Sequence, residues 1–167
     1  MNKKYLLNFF LVFFLTDLVV QHVSIWSSEN KKESGNEIWT LSFENIKKEQ
    51  VSLYCEVARS EADKRRGLMF REKLEPDMCM IFLYEKPTPL TFWMYNTKIP
   101  LSIAFINEDL HIMDIFDMKP FDESIISSTN PGIYAVEANR GWFKKHFIYS
   151  GSFVKIEKKD KRIKTTP

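Results

Sequence analysis

The chain has 167 residues, 44% of them hydrophobic and 28% charged, with a formal net charge of +2. That length and balance suit one domain with its own core and exclude an intrinsically disordered chain. A charge so near zero also argues against a nucleic-acid binder. Fourteen Phe, six Tyr and four Trp favour strands and well-filled cores, which points to a β-rich fold.

The first element is a targeting segment. Lys3 and Lys4 precede an apolar run over 5–20, interrupted only by Asn8, Thr16 and Asp17. A membrane span needs about 20 mostly apolar residues, so a signal peptide is the better match. Residues 1–28 are expected to be a signal peptide or, if uncleaved, an N-terminal anchor touching the membrane. The protein is therefore expected to be exported to the periplasm or cell envelope.

Residues 29–48 read as a polar linker with room for an extra strand over 37–43. Residues 49–157 form the expected β-rich domain. Val51, Leu53, Cys55 and Val57 alternate with Ser52, Tyr54 and Glu56, so a half-buried strand turns Cys55 inward. Ser60 is a good N-cap for a short helix, with Glu61 and Asp63 in its first turn. That helix is expected to end between Gly67 and Phe70, with Gly67 a candidate C-cap. Residues 78–83 read as a buried strand, 85–89 as a turn broken by Pro87 and Pro89, and 91–95 as extended. Asn107-Glu108-Asp109 joins two apolar runs as a hairpin. A polar loop over 119–131 precedes a strand at 133–138, a turn or short helix at 141–145 and a last strand at 152–157. The basic tail, 158–167, is expected to be disordered. The predicted architecture is mainly β: an antiparallel β-sandwich or distorted barrel with one short N-terminal helix packed beside it.

Two cysteines are too few for a disulfide framework. Cys55 is expected as a buried thiol. A bridge to Cys79 stays open and needs Cα atoms within about 7 Å.

Residues 92–101 carry the densest chemistry. Trp93 offers a stacking face, and Asn96 and Thr97 offer hydrogen bonds, as a sugar or heteroaromatic ligand needs. The structural alternative makes Trp93 and Met94 core and Asn96 a turn former. Glu137 alternates onto the face of Ile133 and Ala135. A carboxylate among apolar neighbours must be paired or shifted in pKa. An ion pair with Arg66 or Arg71 is the favoured reading, and general-base chemistry is the other. Arg65, Arg66 and Arg71 cluster at the helix end. Met69, Met78, Met80 and Met94 are soft groups, but without a Met-x-x-Met run or a nearby His they read as core filler rather than a copper site. No triad, phosphate loop, zinc spacing or dinucleotide fingerprint appears. No catalytic residue, metal or cofactor is assigned.

The blocks Arg66-Gly67-Leu68-Met69-Phe70-Arg71, Met80-Ile81-Phe82, Phe92-Trp93-Met94-Tyr95-Asn96-Thr97, Tyr134-Ala135-Val136-Glu137 and Gly141-Trp142 resemble, in this order and spacing, the family called domain of unknown function 192. The resemblance covers roughly 51–156. It implies a mainly β fold with a small helix beside the sheets, and no established reaction. Trp93, Met94, Asn96 and Thr97 all fall on positions of its motif. Ser102 and Ser152 stand where the family usually has Asp, and Cys79 where it usually has Gly, which weakens any transfer of catalysis. The expected function is a non-catalytic exported module binding an unidentified small ligand or glycan through Trp93, Asn96, Thr97, Glu137, Arg66 and Arg71. The alternatives are a small hydrolase using Glu137 as general base and a purely structural envelope domain.

Overall fold

The computed structural model describes residues 37–158. The expected export segment, most of the linker and the tail beyond Lys158 lie outside the described residues.

Nine strands and two short helices follow one another: β1 (Ile38–Glu44), β2 (Gln50–Ala58), α1 (Glu61–Arg66), β3 (Met78–Thr88), β4 (Thr91–Phe92), β5 (Leu101–Ile106), β6 (Ile112–Met118), β7 (Ile126–Ser127), β8 (Gly132–Asn139), α2 (Trp142–Lys145) and β9 (Val154–Lys158). Seven strands form one curled, half-barrel sheet in the order β6-β5-β8-β3-β2-β1-β9, and β4 pairs with β7 separately. The two edge strands approach at one corner. There Ile112 N donates to Ser152 O at 2.9 Å and Val154 N to Leu110 O at 2.8 Å. Of the two expected forms, the sheet is nearer the distorted barrel.

Three expectations need correction. The helix is not N-terminal; it follows two strands. The sheet is not wholly antiparallel, because β2 and β3 run parallel, with Cys55 opposite Cys79. A parallel neighbour requires a crossover, and residues 59–77, with α1, supply it. The turn expected at 85–89 is instead the end of β3. Its pairing with β8 breaks between Leu83 and Thr88, so Pro87 removes no ladder bond there.

β1 pairs with both β2 and β9, so the strand allowed for within the linker is integral to the sheet. The Asn107 hairpin forms as expected, with Asn107 N donating to His111 O at 3.0 Å.

The sheet buries both faces. Trp39, Leu41, Leu53, Ile81 and Val136 meet Trp142 and Phe143 on one side. Met80, Phe82, Ile103, Phe105 and Ala135 meet Leu68, Leu90 and Met94 on the other. β5 is accordingly buried at every position. Each fully buried aliphatic or aromatic side chain contributes about 1.5–3 kcal/mol.

The cysteines depart from the free-thiol expectation. Cys55 and Cys79 are joined in a disulfide, with Cα atoms 4.3 Å apart and both residues fully buried. Period-two alternation could orient Cys55, but only the parallel register of β2 and β3 brings Cys79 opposite it.

Candidate functional site: a cleft beside Glu137

One row of residues crosses the second face of the sheet. Glu56 on β2 sits opposite Met80 on β3, Met80 opposite Glu137 on β8, and Glu137 opposite Ile103 on β5. Two carboxylates thus share a row, separated by one methionine. Arg71 takes the first of them, with its two guanidinium nitrogens 2.5 and 2.6 Å from the Glu56 carboxylate. The expected pair between Glu137 and an arginine does not form. Arg71 is held by Glu56 instead, and Arg66 makes no ion pair among the described residues.

Glu137 is 5% exposed and has no hydrogen-bond or ion-pair partner among the described residues. Burial pushes its carboxyl up to about 8 from an ordinary 4.5. It is therefore mostly protonated at neutral pH and acts there as a hydrogen-bond donor.

The wall above Glu137 comes from α1 and the residues that end it. The helix starts with a capping box: Ser60 Oγ accepts from Asp63 N at 3.1 Å, and the Asp63 carboxylate accepts from Ser60 N at 3.2 Å. It stops at Gly67, whose φ of 47° and ψ of −131° suit only glycine. A Cβ on Gly67 would lie 3.4 Å from the Phe82 ring and 3.9 Å from Glu137 Oε2. The missing side chain keeps the approach to the carboxyl open. Leu68 then anchors the turn in the core at 2% exposure.

Phe92, Trp93 and Thr97 form the facing wall. Phe92 is pinned edge-on against Phe82, with ring centroids 4.8 Å apart. Trp93 is 49% exposed and leans on Tyr95 at 5.3 Å, while Met94 beside it is buried. Thr97 is buried, and its hydroxyl donates to Tyr95 O at 3.1 Å. Between the walls lies a cleft of about 200 Å³ with Glu137 in its lining and Arg65 and Arg66 among its α1 residues.

Four of the six expected site residues therefore meet in one cleft: Trp93, Thr97, Glu137 and Arg66. Asn96 does not line it. Asn96 holds a left-handed turn at φ 50°, and its carbonyl accepts from Phe70 N at 2.9 Å. Arg71 is likewise engaged elsewhere. The sequence reading missed Gly67, Phe82, Tyr84 and Phe92. Alternation within 78–83 held the signal, since Met80 and Phe82 share the Glu137 face and Tyr84 continues the same period.

Tyr84 is half-buried, and its hydroxyl is raised above the usual phenol range, first by burial and then by Glu61 and Glu137. Lys64 lies over its ring at 4.5 Å and pairs with Glu61 at 2.5 Å. A larger depression of about 490 Å³ shares Tyr84, Glu61 and Lys64 with the cleft and runs on to Trp39 and Arg59. Part of its polar lining is already engaged: Arg59 pairs with Glu37 at 3.3 Å, and Trp39 Nε1 donates to Glu37 at 2.8 Å. The smaller cleft contains the carboxyl that no protein group among the described residues pairs with.

Ser102, where an Asp was expected from the resemblance, lies outside this cleft. Its hydroxyl donates to Asp117 at 2.5 Å and accepts from Gly141 N at 2.8 Å. The hydroxyl thus ties β5 to β6 and to the start of α2.

Comparisons with known proteins agree with this fold. The model of domain of unknown function 192, described as uncharacterized ACR, matches residues 43–156. No curated protein matches the chain. A crystal structure of a protein of unknown function from Novosphingobium aromaticivorans DSM 12444 is 34% identical, with a TM-score of 0.69, covering 74% of this chain and 89% of that one. A proposed transcription regulator from Sinorhizobium meliloti 1021 is 29% identical, with a TM-score of 0.68, covering 72% of this chain and 93% of that one. With the family model spanning most of the described sheet, the chain belongs to the domain of unknown function 192 family.

Proposed function

We propose that the protein is an exported, non-catalytic binding module of the cell envelope that holds a small ligand or glycan in the cleft beside Glu137. The observation that carries this reading is the carboxyl itself. Its oxygens are open to the cleft rather than sealed off, because no side-chain oxygen among the described residues is both buried and without a partner. Glu137 has no partner among the described residues and lies in the lining of an open cleft. A ligand hydroxyl or carbonyl would complete it. Trp93, half exposed at the wall, offers the ring face that a sugar or heteroaromatic group stacks on.

The hydrolase alternative gains one observation and loses another. Glu61 lines the same cleft, which supplies a second carboxylate. That side chain is 86% exposed and paired with Lys64, far from the buried state of an acid catalyst. A carboxyl protonated up to about 8 is also a poor base at neutral pH. The exposed Trp93 ring weighs against a purely structural role. The regulator role proposed for the Sinorhizobium protein finds little support in a net charge of +2.

Export rests on Lys3, Lys4 and the apolar run after them, and the disulfide suits an oxidising compartment. Fractionation of the native host tests it; full-length protein soluble in the cytoplasm would remove that half of the proposal. For binding, the heat released is followed by calorimetry while neutral, acidic and amino sugars are added to the wild type and to Trp93→Ala. Saturable change in the wild type and none in Trp93→Ala, at unchanged folding, is the expected result. Equal responses from both proteins would defeat the cleft as the binding surface.

A further inference from the structure

The charges around the cleft restrict what it takes. From α1, Glu61, Lys64, Arg65 and Arg66 reach it. Glu61 and Lys64 neutralise each other at 2.5 Å. Arg65 and Arg66 are exposed and make no ion pair among the described residues. β3 adds Tyr84, and the facing wall adds the uncharged Thr91 and Thr97 hydroxyls and the Trp93 indole. The strand neighbours of Glu137 are Met80 and Ile103, neither of them titratable. No cation satisfies Glu137. Neither Arg65 nor Arg66 makes an ion pair or hydrogen bond with its carboxyl among the described residues. The lining therefore offers a protonated carboxyl deep in the cleft and two uncompensated guanidinium groups from α1. Both are hydrogen-bond donors, and the second kind is positive. A donor-lined, positively charged cleft complements an oxyanion and repels an ammonium.

Resting on the binding reading above, we propose that the cleft selects a sugar acid, whose carboxylate accepts a hydrogen bond from the Glu137 hydroxyl and faces the Arg66 guanidinium while its ring lies against Trp93. Gly67 makes the approach possible, because a side chain there would stand within van der Waals contact of Glu137 Oε2. The proton on Glu137 is then part of the site. Once it leaves, two carboxylates face each other, and affinity falls about tenfold for each further pH unit.

The test titrates the full-length chain, in mild detergent, with glucuronate, glucose and glucosamine by calorimetry at about pH 6 and about pH 9. The expected result has glucuronate binding at least about tenfold tighter than either other sugar at the lower pH, and weakening about tenfold at the higher. Glu137→Gln keeps a neutral donor and is expected to bind glucuronate with no pH dependence over this range. Arg66→Ala, at an exposed position, is expected to lose about tenfold at both pH values. Circular dichroism confirms that each variant folds. Preference for glucosamine, with binding abolished in Glu137→Gln, would make Glu137 an anion that binds cations; the binding module would stand and the sugar-acid proposal would fall. Equal affinity for glucose and glucuronate would have the same effect. Silence from all three sugars in the folded wild type would overturn both.

Discussion

Replacing Glu137 with Gln should change how stability depends on pH, and the size of the change follows from burial alone. The folded chain keeps a proton on Glu137 up to about 8, whereas the unfolded chain releases it near 4.5. Between those values the folded state binds more protons than the unfolded one, so stability falls as pH rises. The loss approaches about 1.4 kcal/mol per pH unit across the window and totals roughly 5 kcal/mol above it. About 3 kcal/mol of that is already lost at pH 7. Gln has nearly the same shape and does not titrate. Urea midpoints of both proteins, measured at about pH 5, 6, 7, 8 and 9, give a difference curve in which the other ionisable groups cancel. Any fixed cost of burying the amide shifts that curve without tilting it. The variant should gain steadily on the wild type up to about pH 8 and then run parallel to it. A difference curve flat from about pH 5 to 8 would mean that Glu137 is ionised or hydrated in the folded chain, and the burial argument would be wrong.

Replacing Cys55 and Cys79 together with Ala is expected to cost about 3 kcal/mol, from chain entropy over their separation of 24 residues; a loss below about 1 kcal/mol in urea melts would contradict this. Gly67→Ala places a Cβ where φ is +47° and should cost about 1–2 kcal/mol while weakening glucuronate binding, and an unchanged calorimetric titration would show the approach lies elsewhere. Arg71→Ala breaks the two-pronged contact with Glu56 and should lower stability by roughly 1 kcal/mol with sugar binding intact. Trp93→Ala should show the reverse, with less than about 1 kcal/mol lost from a half-exposed position and binding gone; a drop of several kcal/mol would reassign the ring to the core.

The sequence was most legible where one local rule acted alone. Ser60 announced the N-cap, Asn107 the hairpin, and alternation placed Glu137 on the face of Ala135. It was least legible where two distant segments had to be placed side by side. Nothing local shows that β2 and β3 run parallel, so neither the Cys55–Cys79 bond nor the row from Glu56 to Glu137 could be read in advance. Arg71 illustrates the difficulty. A carboxylate partner was the right expectation, but two carboxylates lay within one row and the register decided between them. Asn96 failed differently: the turn chemistry that made it noticeable also consumed it.

The disulfide has a mechanical consequence for the cleft. Cys55 and Cys79 bracket the whole crossover that includes α1, Arg66 and Gly67. One side of the cleft is thus a covalently closed ring seated on two adjacent strands, and its two ends cannot separate. The opposite side, from Phe92 to Thr97, is fastened by hydrogen bonds such as Met94 N to Asp122 O at 2.9 Å and Phe121 N to Thr97 O at 3.0 Å. The two sides are also joined to each other, because Phe70 N within the ring donates to Asn96 O at 2.9 Å, so the closure at the cysteines bears on both walls of the cleft.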